Sequence, residues 1–438
     1  MRLKSAVAVP AVLAAGLSLA SCSSQASYPK DRVAQKLVGV CKNEYRLDVK
    51  AQMAGTTLGA QVEIPGLLDE LRKHAPSSMP DLPPVLIEGR YNEQAFDFRM
   101  FARGSFTRAE KKTPEDEKEP KEPSEPIKKL RQVSAALMRA FLSTDAPLEF
   151  YRLIARDPGP DHLDVVLSGH ILDSKKVQFY AISMSELQTR NEISLRHQPE
   201  ELARATVAGF IADLRKQPLP QLLSRYTAPS KRFGELLPAV LSVAADLKEE
   251  EDKLIPEEWP VIQTGKETAL VDVPLARIGG VGAYLFTVQL EEISGTLLAI
   301  EKLEDGKLPS EHKRLGPPEE WSKAFYLEPI SLPEFVVEQI TKRVMGDFKT
   351  IHSEQDPDPA LKSKLKLKKK RAVEKPATME DVAKTLMGEA AYVTDNYDFK
   401  DFKKVAAVDA LEGTHWVVSA AELPLYRRRN APEIKPVP

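Results

Sequence analysis

The chain has 438 residues, 42% of them hydrophobic, with 62 Lys and Arg against 64 Asp and Glu, for a formal charge of −2. So near-neutral a balance lacks the concentrated basic surface that nucleic-acid binding needs, and no nucleic-acid partner is expected. Two cysteines allow one disulfide at most, and the length suits about two to four modest globular domains rather than one large core.

Arg2 and Lys4 open the chain, residues 5–20 are almost wholly small or apolar, and small residues lead up to Cys22, which is the layout of a secretory signal. The apolar run is too short for a comfortable membrane span, which takes about 20 such residues. Leu19-Ala20-Ser21-Cys22 resembles the lipobox of bacterial lipoproteins, and the resemblance covers the leader only. It implies removal of residues 1–21 as a signal peptide, lipidation of Cys22 and attachment to a lipid bilayer. Several acyl chains, at about 0.8 kcal/mol per buried methylene, hold such a chain essentially permanently. Ser23 and Ser24 stand where inner-membrane retention would want an aspartate, so the resemblance also implies an outer-membrane address where the organism has one. Losing residues 1–21 removes Arg2 and Lys4 and no acid, leaving 60 basic residues against 64 acidic ones.

With Cys22 acylated, Cys41 is the only thiol left. Val33, Leu37, Val40, Cys41 and Tyr45 recur at helical spacing, so Cys41 reads as a small buried apolar residue rather than a nucleophile.

The first module, residues 22–109, starts with that helix, over 31–45, and continues with strands "RLDVKAQMA" and "LGAQVEI" around a turn at Gly55. Residues 110–127 carry four prolines and seven acids with no aromatic, and read as a linker. The second module, 128–197, runs helix "IKKLRQVSAALMRAFLS", strands "LEFYRLIAR" and "HLDVVLSGHI", a turn "LDSKK" and a strand "VQFYAIS". Residues 198–350 read as two helices separated by Pro218 and Pro220, then strands "TALVDVPLARI", "AYLFTVQL" and "TLLAIEKLE", then a helix with Val336, Ile340 and Val344 on one face. Residues 351–376 contain "KSKLKLKKKR" and read as a solvated charged linker. The last module, 377–438, places helix "MEDVAKTLMG" before strands "FKKVAAVDA" and "THWVVSA". The expected architecture is α+β: several small modules, each an amphipathic helix on a short antiparallel sheet, joined by charged linkers.

Chemistry-bearing patterns are sparse. The seven histidines form no His-x-x-x-His pair, so no metal or cofactor is expected. His162, Asp164, Ser168 and His170 alternate along one strand, groups able to bind a metal or form a hydrolytic trio; the plainer reading makes them the wet face of a half-buried strand with Leu163, Val165 and Leu167 inward. Gly279, Gly280 and Gly282 lack the third glycine of a dinucleotide fingerprint and read as a turn between strands. Trp259 and Trp321 each close a "PEEW" stretch and are expected to plug loops into the domain.

The expected function is that of a membrane-anchored, extracytoplasmic, non-enzymatic scaffold or accessory protein of the cell envelope with a protein partner there. The alternatives are a carrier of an apolar ligand, with strand residues 268–300 as the expected cavity wall, and a glycan hydrolase of unusual type.

Overall fold

The computed structural model describes residues 29–74, 83–109, 124–214, 216–227, 233–247, 255–256, 259–277, 280–291, 293–303, 325–350, 376–427 and 431–437. Cys22, Trp321, residues 110–123 and residues 351–375 lie outside them. The fold is α+β, and the chain divides into two compact units, residues 1–74 with 122–329 and residues 75–121 with 330–438.

With elements numbered along the whole chain, unit 1 begins with helix α1, Val33–Tyr45. Val33, Leu37 and Cys41 fall one turn apart and are fully buried, and the helix ends where Arg46 turns left-handed at φ 57° and donates its N–H to Cys41 O. Strands β1, Val49–Ala54, and β2, Thr57–Glu63, follow as a hairpin, with Gly55 supplying the positive φ of its turn. Helix α2, Leu67–His74, is capped by Asp157, whose carboxylate accepts from Gly66 N at 3.2 Å and Leu68 N at 2.9 Å. Helix α3 is Glu125–Ser143, and strands β6, Phe150–Arg156, β7, Leu163–His170, and β8, Glu192–His197, complete a five-stranded sheet in the order β1-β2-β6-β7-β8. Only β2 and β6 pair in parallel, and the crossover this demands is the stretch that leaves unit 1, passes through residues 75–121 and returns as α3.

One expectation fails between β7 and β8. "LDSKK" and "VQFYAIS" are not a turn and a strand: Ile171–Gln178 is helix α4, started directly at the end of β7 by His170, whose ring accepts from Leu172 N at 3.0 Å. Helix α5, Met184–Arg190, follows with Ser183 as its cap.

The rest of unit 1 is a four-stranded meander, β9 Val261–Gly265, β10 Thr268–Arg277, β11 Gly280–Leu290 and β12 Gly295–Leu303. It is covered by three helices rather than the expected two, α6 Pro199–Leu214, α7 Leu219–Tyr226 and α8 Phe233–Leu247. Pro220 ends nothing, because in the first turn of α7 its missing N–H has no intrahelical role. Gly280 and Gly282 lie in β11, Gly280 pairing with Arg277 of β10, Gly279 lies outside the described residues, and Trp259 is buried in the core beneath these helices.

Unit 2 contains strands β3, Val85–Asn92, and β4, Ala95–Ala102, joined through Glu93 and Gln94, both left-handed. Strand β4 pairs in parallel with β14, Lys404–Asp409, which pairs with β15, His415–Ser419, giving the order β15-β14-β4-β3. Helices α9, Leu332–Gly346, and α10, Met379–Asn396, lie on the sheet. A small ladder joins β5, Phe106–Arg108, to β13, Phe348–Thr350. This division differs from the expected succession of modules. The stretch 22–109 is shared between units, and β3 and β4 complete a sheet with the strands of 377–438 because their buried residues, Phe96, Phe98 and Met100, need the helices that follow residue 330.

Candidate functional site

The polar positions of β7 are the strongest chemical pattern in the sequence. Asp164 and Ser168 are buried rather than wet, because the extended segment Phe325–Pro329 crosses this face of the sheet and packs Phe325 and Leu327 on Ile154 and Val166. Asp164 accepts from Arg156 Nε at 3.1 Å and faces Arg196 Nη2 at 3.6 Å, while Arg156 also reaches Glu200 at 2.9 Å. Burial pushes the Asp164 carboxyl above its ordinary range and the Arg156 charge opposes it. Two guanidinium groups and two carboxylates thus compensate one another, which is a structural quartet rather than a general acid or base. Ser168 Oγ accepts from Arg152 Nε at 3.1 Å. His162 sits in the turn before the strand at φ 48°, and His170 packs edge-on against Phe150 at 4.9 Å. Burial lowers the His170 pKa to about 4, so its ring is neutral and serves as the α4 cap. The structure therefore does not join these four residues into a catalytic trio.

The opposite face of the same sheet carries the candidate site. Helices α1 and α3 cover it over β1, β2, β6 and β7, forming one core in which Cys41 is fully buried and its thiol is pushed up to about 11 by desolvation. The helical layer stops short of β8. Between α3, α4, α5 and strands β6 to β8 lies a cleft of about 650 Å³ with a predominantly apolar wall, including Leu137, Met138, Phe141, Leu167, Val177 and Leu187. Arg131 stands at one end, near the start of α3. At the other end Phe141 meets Tyr151 at 5.3 Å, and the Tyr151 hydroxyl donates to Asn191 Oδ1 at 2.8 Å. Gly169 makes room for that pair, since a Cβ there would lie 2.4 Å from Asn191 Oδ1 and 2.6 Å from the Tyr151 oxygen. Ser174 also lines the cleft. Its buried hydroxyl lies beside that of Tyr151 and opposes the upward push of burial on the phenol.

Apolar surface continues outward from the cleft. Ile193, which lines it, is 62% exposed and Leu195, two residues along the same face of edge strand β8, is 59% exposed. Phe179 and Tyr180, just past α4, are 75% and 95% exposed. Within 268–300, the expected cavity wall, Val271, Tyr284, Phe286, Val288 and Leu297 instead form a core with Phe210 and Leu223. Beside that core the Tyr284 hydroxyl bonds Asp246 at 2.6 Å and Ser242 at 2.7 Å, with Lys302 on the same carboxylate at 2.8 Å. Among the described residues no cluster of His, Cys, Asp and Glu could hold a metal, and no helix is long and apolar enough to cross a membrane.

Nothing in the sequence placed a cleft on the second module, yet a signal existed. "EISLRH" alternates apolar and polar residues at the end of a sheet, and "FY" stands next to it with no strand to belong to. Compared with known protein families, curated proteins and solved structures, the chain matches none.

Proposed function

We propose that this is a lipid-anchored, extracytoplasmic, non-enzymatic binding protein that holds an apolar ligand in the cleft of unit 1. The observation that supports it is the cleft itself, an apolar wall with a few buried polar groups at one end and a volume inside the range of small-molecule sites. The anchor rests on the lipobox at Cys22. A polarity-sensitive apolar fluorophore titrated into the full chain should bind saturably at one site, and Ala135→Trp, which thickens the α3 wall, should abolish that binding. Equal binding by the variant would refute the cleft. For the anchor, Cys22→Ala should move the protein from the membrane to the soluble fraction; its continued sedimentation with membranes would overturn lipidation.

A second reading, the scaffold with an envelope protein partner, draws on the exposed Phe179, Tyr180, Ile193 and Leu195. Crosslinking from position 179 in intact envelopes separates the two readings, since a specific protein adduct lost on Tyr180→Ser favours the scaffold. The hydrolase finds no support in the quartet around Asp164, whose carboxylates are committed to arginines.

A further inference from the structure

We infer that the outer face of helices α1 and α3 seats unit 1 on the anionic headgroups of the bilayer that holds its anchor. The inference rests on the anchor proposed above and adds a second contact with the same membrane.

Charge is distributed unevenly along the mature chain. Residues 30–46 and 125–143, which comprise α1, α3 and their immediate flanks, carry nine basic residues against three acids. The rest of the mature chain carries 51 against 61. Burial sorts the excess onto one side. The stripes through Leu37 of α1 and Leu137 of α3 pack on the sheet, and Arg32, Lys36, Lys42, Lys128, Arg131 and Arg139 stand exposed away from it.

The acids on and around these helices do not cancel that excess. Asp31 pairs with Arg32 at 3.4 Å, and both oxygens of Glu44 accept from Arg139 Nη1, at 2.7 and 2.8 Å. Glu125 stands in the first turn of α3, where a helix N-terminus favours an acid. Helix α2, which packs against α3, balances itself, with Arg72 and Lys73 paired to Asp69 and Glu70. Asp48 and Asp145 follow the ends of α1 and α3 and still leave nine basic residues against five acids. Among the described residues, Lys36, Lys42, Lys128 and Arg131 have no carboxylate within ion-pair distance.

The shape of the face suits a headgroup. Between the two helices runs a groove of about 630 Å³ whose wall includes Arg32, Lys36, Gly39, Asn43 and Arg139. A Cβ on Gly39 would meet nothing within 4 Å, so the groove is open there. A phosphodiester, small, anionic and rich in acceptors, matches guanidinium, ammonium and amide donors placed along such a groove.

The tether limits how far this face can stand from the bilayer. Cys22 and Lys30 are eight residues apart, a span of at most about 28 Å when fully extended. The negative potential of an anionic leaflet attracts Lys and Arg within a Debye length, roughly 10 Å at 0.1 M salt. Attraction of this kind is reversible and screened, so it orients the chain while the acyl groups retain it. Arg131 belongs both to this face and to one end of the cleft, so the same seating brings the cleft to the bilayer from which an apolar ligand would come.

The test is cosedimentation of the mature chain, residues 22–438 with Cys22→Ser so that it carries no lipid, with phosphatidylcholine vesicles that contain or lack phosphatidylglycerol. The seven basic residues from Lys362 to Arg371 are changed to glutamine throughout, so that this separate run contributes nothing. Vesicles with phosphatidylglycerol should bind the chain in low salt and release it at about 0.5 M NaCl, and neutral vesicles should not bind it. Lys36→Glu with Lys128→Glu should weaken binding about tenfold or more and leave the urea transition unchanged, since both lysines are exposed and outside any ion pair. Lys403→Glu with Lys404→Glu, the same charge change at exposed positions of unit 2, should leave binding within about twofold. Equal weakening by the two pairs, equal binding to neutral vesicles, or no binding would overturn the inference. So would binding that arises only when Glu115, Asp116 and Glu117 are changed to glutamine, because the face would then belong to an acidic segment of its own chain. If Cys22 proves acylated and the fluorophore enters the cleft while these vesicles stay unbound, this inference alone fails. If Cys22 carries no lipid, the anchor and this inference fail together.

Discussion

Both units are built as helices on a sheet, and they differ in how far the helices reach. In unit 2, α9 and α10 serve four strands, and Phe96, Phe98 and Met100 beneath them are essentially inaccessible. Gly89 shows how closely that layer is packed, since a Cβ there would come within 2.6 Å of both Phe98 and Val337 of α9. In unit 1, α1 and α3 serve a sheet one strand wider, and the fifth strand keeps two aliphatic side chains in the open. A complete layer leaves a core, and an incomplete one leaves a cleft with an apolar rim. The same architecture thus provides stability in one unit and a candidate ligand site in the other.

The largest expected break of that contrast is Phe98→Ala, which should destabilise unit 2 by about 4 kcal/mol, read as faster amide exchange over 95–102 and an earlier urea transition. A loss below about 1 kcal/mol would mean that the layer over β4 is not filled. Asp164→Ala acts on the other face of the unit 1 sheet, leaving the half-buried Arg156 and Arg196 with one carboxylate too few; it should cost about 3 kcal/mol. A variant as stable as the parent would show that the quartet is solvated. His170 sets a pH dependence. Its unfolded value is near 6.5 and its folded value about 4, so below pH 6.5 the unfolded chain takes up a proton that the folded chain refuses. This contribution is therefore complete above pH 6.5 and lost as pH falls towards 4, about 2 kcal/mol after allowance for partial exposure. His170→Asn keeps a capping side chain and should flatten the stability curve over that window; an unchanged curve would dissociate the effect from His170. Smallest is Ile193→Ser, worth about 0.5 kcal/mol or less in stability because the side chain is already mostly in water. It should nevertheless weaken fluorophore binding, and a stability loss above about 1 kcal/mol would show β8 to be covered.

Local elements were largely legible. The stripe Val33, Leu37, Cys41 announced α1, the alternation of "LEFYRLIAR" and "HLDVVLSGHI" announced β6 and β7, and Gly55 announced their neighbouring hairpin. What failed depended on distant chain. The polar side of β7 looked wet because nothing nearby covers it, and its cover is Phe325–Pro329, more than 150 residues later. "VQFYAIS" looked like a strand because aromatic and branched residues favour one, but the cap supplied by His170 starts a helix with no turn before it. The cleft was invisible for a related reason. No local pattern records that α3 ends its cover before β8, and Ser174, Tyr151 and Asn191 meet only once β6, α4 and α5 are in place.

The parallel pairing of β4 with β14 has a consequence for the order of events during synthesis. Gln94 and Asp401, hydrogen-bonded beside that ladder, lie 307 positions apart in sequence. At about 5–20 residues per second, the β3–β4 hairpin waits roughly 15 to 60 seconds for its neighbouring strand. For that interval it is a two-stranded ribbon with aromatic residues on one side and an unpaired backbone edge, a species marginal on its own and open to pairing with other copies. A chain stopped at residue 376 has α9 to set on β3 but leaves the edge of β4 unpaired. Strand β14, made far later, thus covers an edge that β4 presents from early in synthesis.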